Sequence, residues 1–165
     1  MKKFLLKSIG AVGLLLALSG CEIPVMIAAG ANDGKVTGMF EITFPAVLLI
    51  NFEDGTEELL RGTLAGNISG SAKFDLEGPT YGRCTGGSTK AGFTTMSCEN
   101  GVNLSFNVGE SKPKMSGVNV VSGTAIGHNY VSAMGWGKLA TEDAVRAAIS
   151  DFKDAALLVE NPQHF

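Results

Sequence analysis

Hydrophobic and polar positions alternate with period two through most of the chain. From Lys35, Val36, Phe40, Ile42 and Phe44 fall on one side and Thr37, Glu41 and Thr43 on the other, which predicts a half-buried strand. Pro45 limits ladder hydrogen bonding there, and residues 47–52 read as a second, more deeply buried strand closed by the Asp54-Gly55 turn. Residues 56–64 resume strand character. After a break over residues 66–71, Ala72, Phe74 and Leu76 alternate with Lys73 and Asp75 up to the turn at Glu77-Gly78-Pro79. Asn100-Gly101 is the strongest short hairpin signal, and Val102, Leu104, Phe106 and Val108 alternate with Asn103, Ser105 and Asn107 behind it. Ser111-Lys112-Pro113-Lys114 makes the next turn. Residues 118–126 are rich in Val and Thr, and residues 130–134 supply the last strand.

The period changes at Gly137. Thr141 is placed as an N-cap, Glu142 and Asp143 suit a helix N-terminus, and Val145, Ala148, Ile149, Phe152 and Ala156 share one helical face. This predicts one amphipathic helix against an end or open side of the sheet, stopped by Asn161-Pro162, with residues 161–165 as a tail. Turn signals about every ten residues, with abundant glycine, favour a mainly β fold. The expected form is an antiparallel, Gly-rich meander or small barrel with a C-terminal helix, a single domain over residues 35–160.

The N-terminus has a different grammar. Lys2, Lys3 and Lys7 precede an apolar core over residues 9–18 that is too short to span a bilayer permanently, so residues 1–20 read as a signal peptide. Leu18-Ser19-Gly20-Cys21 resembles the lipobox of bacterial lipoproteins: Leu, two small residues, then the Cys that becomes the lipidated first residue. The resemblance implies a thioether-linked diacylglycerol on Cys21, removal of residues 1–20 and usually a further acyl chain on the new amino group. Glu22 then fits onward transport to the outer membrane. Residues 21–34 become a lipidated tether whose apolar first part lies along the bilayer surface.

With Cys21 assigned to lipid, Cys84 and Cys98 remain as a pair, and an oxidising cell exterior favours their disulfide. Arg83-Cys84-Thr85-Gly86 and residues 94–98 flank a Gly/Ser/Thr/Lys stretch centred near Ala91. A hairpin folded there sets the cysteines opposite each other and pins its register. A two-cysteine metal or redox site lacks C-x-x-C spacing, and only His128 and His164 are available as imidazole partners. The run 63–74, with Arg83-Cys84-Thr85-Gly86 and Cys98-Glu99-Asn100-Gly101, is similar to a Gly-rich β pattern of small exported proteins and lipoproteins of Gram-negative bacteria whose activities are mostly unassigned. It carries over no catalytic residue.

Removing residues 1–20 leaves 145 residues with 10 basic and 16 acidic side chains, a net charge of −6. Such a surface repels phosphate backbones and anionic head groups, which argues against nucleic-acid binding, and lipid anchoring owes little to electrostatics. Gly135-Trp136-Gly137-Lys138-Leu139-Ala140 fits G-x-G-x-x-A. A dinucleotide site needs a parallel sheet, however, so a strand exit with Trp136 covering the core is the better reading. His128 is expected in a solvent-facing loop. Glu53, Asp54, Glu57 and Glu58 are expected to form a solvated acidic hairpin tip without metal-ligand spacing. No catalytic, cofactor-binding or metal-ligating residue is assigned.

These readings predict a non-enzymatic binding or envelope-assembly module on the cell envelope. It would be held to the membrane by acyl chains on Cys21, with an envelope protein or an apolar ligand as partner. The alternative is a carrier of a lipid or other apolar small molecule inside the barrel, motivated by Phe40, Phe44, Phe74, Phe93 and Phe106, all expected to be buried.

Overall fold

The computed structural model describes residues 22–110 and 113–160; residues 1–20, read above as a signal peptide, Cys21, Ser111-Lys112 and the tail from Asn161 lie outside the described residues. The chain forms helix α1 (Glu22–Gly30) and strands β1 (Lys35–Gly38), β2 (Glu41–Phe52), β3 (Glu57–Asn67), β4 (Ala72–Gly78) and β5 (Gly82–Ser88). Strands β6 (Phe93–Cys98), β7 (Asn103–Asn107), β8 (Gly117–Ala125) and β9 (His128–Trp136) follow, then a 3-10 turn (Gly137–Leu139) and helix α2 (Glu142–Glu160). Every ladder is antiparallel. The order is β7-β6-β5-β4-β3-β2-β9-β8, with β1 also on β2; β7 and β8 approach each other without a ladder, giving a nearly closed barrel-like sheet. No helix among the described residues is long and apolar enough to cross a membrane.

Alternation sorts the strands into two layers. Leu48, Ile50, Leu60 and Leu76 point into the barrel, each 2 % exposed or less. Val47, Leu49 and Ala133 point outward and meet Val145 and Ile149 of α2. β2 is thus buried on both faces, the physical reason for its unbroken apolar run at residues 46–50. Each such side chain contributes on the order of 2 kcal/mol by leaving water. The helix starts as the sequence implies: Thr141 Oγ1 accepts from Ala144 N at 3.2 Å. It lies across the outer face of the sheet, not at a barrel end. Arg146 bonds Glu57 at 2.8 Å and Glu142 at 2.8 Å, and Arg61 bonds Glu142 at 2.9 Å. The Arg146 guanidinium holds both carboxyls below their ordinary range, but all four groups are partly exposed, so apolar burial is what seats the helix.

Two local expectations need correction. The first strand turns at Met39-Phe40, so Phe40 leaves the face it was assigned to and is 59 % exposed. Pro45 does not divide the next strand: it falls where β2 changes partners on one edge, after β1 pairing ends at Thr43 and before β9 pairing begins at Ala46. The expected antiparallel β fold with a C-terminal helix is observed: a meander runs from β2 to β7, and the β8–β9 hairpin on the other side of β2 brings it close to a small barrel. Within the stretch expected as a tether, residues 22–30 form helix α1. Ala29 is 1 % exposed, and Gly34 leaves room for the Phe44 ring in the turn that follows.

Cys84 and Cys98 face each other in register on β5 and β6, Cα atoms 4.0 Å apart, and their sulfurs are bonded. Replacing both by alanine is expected to cost about 3 kcal/mol, the loop-closure entropy returned to an unfolded chain no longer tied across fourteen positions. A denaturant midpoint equal to that of the parent would overturn this.

Candidate functional site

The two ends of the barrel are built differently. Toward the end carrying the β2–β3, β4–β5 and β6–β7 turns, inward positions hold large side chains, with Leu60, Leu76, Met96 and Leu104 filling the interior. Toward the other end the same inward parity brings Gly66, Ala72, Ser88, Thr94, Val121 and Ser132. These short side chains fail to meet across the barrel. A cavity of about 300 Å³ results, walled by Phe44, Leu48, Leu64, Phe74, Phe106 and Met134 and opening past Phe40 and Ile68.

Two glycines shape its wall. A Cβ at Gly86 would lie 2.7 Å from the Phe74 ring, and one at Gly117 would lie 2.7 Å from the Trp136 indole, so each aromatic occupies space that a side chain at the glycine would fill. Trp136 Nε1 donates to Lys114 O at 3.0 Å, which ties the β7–β8 connection down at the mouth. The polar groups are few. Ser132 is buried on β9, Thr94 Oγ1 donates to Gly92 O at 3.3 Å, and Glu110 and Lys114 stand exposed at the rim. An apolar hollow with a polar, charged rim accepts a hydrocarbon body and leaves its polar end in water.

The opposite end is closed by a carboxylate. Glu58 is 2 % exposed; its Oε1 accepts from Thr80 N and Tyr81 N, both at 3.0 Å, and its Oε2 has no partner. Burial, with the Glu58 charge beside it, pushes the Tyr81 phenol up. This corrects the solvated acidic tip: Glu53, Asp54 and Glu57 are exposed, whereas Glu58 points inward as a clamp on the β4–β5 turn. A shallower, more open depression with Glu53, Asn129 and Lys153 on its rim lies at the same end.

Of the five phenylalanines expected inside, Phe44, Phe74 and Phe106 converge on the cavity wall, while Phe40 and Phe93 are 59 % and 52 % exposed. Phe93 precedes inward-facing Thr94, so its own parity is outward. His128 is exposed at the start of β9. Gly135-Trp136 ends β9 and Gly137 begins the 3-10 turn, a strand exit within an antiparallel sheet. Among the described residues, no group of three or more His, Cys, Asp or Glu could hold a metal ion. Sequence reading missed the small inward residues that make the cavity. Their signal was present as Gly, Ala, Ser and Thr sharing parity with the core, but which strand ends would meet was not. No family model, curated protein or solved structure matches the chain.

Proposed function

We propose that this chain is a lipid-anchored cell-envelope protein whose barrel holds one apolar small molecule, with a hydrocarbon chain in the cavity and a polar head at the rim. The apolar cavity carries this reading. Its volume of about 300 Å³ is at the lower end of ligand sites, and its wall offers dispersion contacts from three phenylalanine rings with few hydrogen-bonding groups to desolvate. Lipobox-like residues 18–21 supply the anchor in this reading, and the role is binding rather than chemistry.

Trp136 is the sequence's single tryptophan and lines the cavity, so energy transfer from it to a fluorescent polyene fatty acid reports occupancy directly. Saturable transfer is expected for the full chain, with an apolar molecule copurifying in native mass spectrometry. Ala72→Trp places an indole into the hollow from a half-buried rim position. It is expected to lower affinity at least about tenfold, equivalent to 1.4 kcal/mol, with the melting temperature little changed. Undiminished binding by that variant, or no binding by the parent, overturns the proposal.

A further inference from the structure

Lysines on this barrel gather at one end. Among the described residues, Lys35, Lys73, Lys90, Lys114 and Lys138 all lie at or near the mouth: at the start of β1, next to the β3–β4 turn, in the β5–β6 turn, in the β7–β8 connection and in the 3-10 turn. All five are exposed, and none forms an ion pair with a described residue. The three arginines, Arg61, Arg83 and Arg146, are each paired with a carboxylate. Asp33, Glu41, Glu110 and Asp143 are the acids near the mouth, with Glu41 accepting from Thr37 Oγ1 at 3.0 Å. The opposite end carries Glu53, Asp54, Glu57, Glu77 and Glu99. The mouth thus carries five lysines against four acids, a small positive excess on a chain that is net negative, whereas the opposite end is strongly acidic.

The same face carries protruding apolar side chains. Met39 is 88 % exposed and Ile68 69 %, and with Phe40 they form one patch, since Ile68 N donates to Phe40 O at 3.3 Å across the two neighbouring turns. Phe93 projects from the β6 side of the rim. At the far end the exposed large apolar side chains among the described residues are Ile126 and, on α2 next to Lys153, Phe152. The chain leaving α1 also arrives at the mouth: a Cβ on Gly137 would touch Met115 O at 2.5 Å and Asn32 O at 3.1 Å, so the residue two positions after α1 abuts the end of β9. Cys21 immediately precedes that nine-residue helix, whose Val25, Met26 and Ile27 are exposed.

We propose that the barrel mouth is a membrane-docking face that seats on an anionic bilayer, with Met39, Phe40 and Ile68 entering the interface and the five lysines meeting lipid phosphates. A ring of unpaired lysines around apolar tips matches what such a surface offers, apolar depth behind a negative plane. Each lysine there contributes about 1 kcal/mol, roughly fivefold in affinity. Seated this way, the cavity opens onto the bilayer, and its occupant is an acyl chain that enters from the membrane without crossing water. That last step rests on the cavity reading above; the docking face does not.

The test reads orientation, because an acyl anchor alone would hold the protein on vesicles in any pose. The full chain is reconstituted into vesicles of phosphatidylethanolamine with phosphatidylglycerol, and each lysine's reactivity toward a water-soluble amine reagent is compared with its reactivity in detergent. Lys35, Lys73, Lys90, Lys114 and Lys138 are expected to be protected roughly fivefold or more, with Lys153, on α2 beside Asn51, unprotected. Protection should collapse in pure phosphatidylcholine vesicles. It should collapse also in Met39→Asp with Lys73→Glu and Lys90→Glu, exposed positions outside the cavity lining, while fatty-acid binding persists. Equal labelling of the mouth lysines and Lys153 in anionic vesicles overturns the docking face. So does protection seen only in native envelopes, which would assign the face to a protein. Ala72→Trp separates the two proposals, since it should weaken ligand binding at least about tenfold and leave the protection pattern intact.

Discussion

Glu58→Ala is expected to destabilise the fold by about 4 kcal/mol, a large share of the stability of a domain this size. The carboxylate is buried, and its Oε1 is the acceptor for two successive backbone amides, those of Thr80 and Tyr81. Alanine leaves both donors without a partner inside the barrel end, at roughly 1–3 kcal/mol each. It also opens a void beside Leu60, which approaches the same glycine, Gly78, that makes room for Glu58. Glu58→Gln keeps an acceptor oxygen for both amides and should lose much less. Denaturant midpoints in the order parent, Gln, Ala would bear out the clamp, and an Ala variant as stable as the parent would remove it. In Glu58→Gln the Tyr81 phenol should titrate closer to its ordinary value: the neighbouring negative charge is one cause of its upward shift, and burial, the larger cause, remains.

That clamp marks a boundary of what the sequence discloses. Strands and hairpins were legible because their signals are local. Gly55 and Gly101 adopt φ of 86° and 87°, and the Asp-Gly and Asn-Gly pairs announce them. The disulfide followed from the same logic once one hairpin midpoint was located. The roles of Phe40 and Phe93 were not legible, because period two runs unchanged through a tight turn and says nothing of which parity faces in after it. Glu58 was read by its acidic neighbours, whereas its environment is set by a turn more than twenty residues away. Net charge pointed away from the membrane for a similar reason: a sum over the chain discards position, and only the folded barrel shows five exposed lysines gathered around one end. The cavity is a property of the radius at which short side chains meet, which no linear pattern encodes.

Cys21→Ser should abolish fatty-acid incorporation and release the protein from its normal membrane. Serine supplies no thiol for a thioether to diacylglycerol, so every acyl chain that depends on that linkage is lost together. Each methylene buried in a bilayer contributes about 0.8 kcal/mol, which makes one chain a marginal anchor and two or three a stable one. Lysines at the barrel mouth leave a residual, salt-sensitive attraction to anionic membranes, so the variant's remaining membrane fraction should fall further as ionic strength rises. The parent's fraction should not, because hydrocarbon burial is not screened by salt. Intact-mass analysis supplies the chemical half of the test: the parent should lack residues 1–20 and carry a fatty-acid increment, and the serine variant should show no such increment. A parent that retains residues 1–20 without added lipid, or a serine variant fully and salt-independently membrane-bound, would detach this barrel from its acyl anchor and leave the mouth as its sole membrane contact.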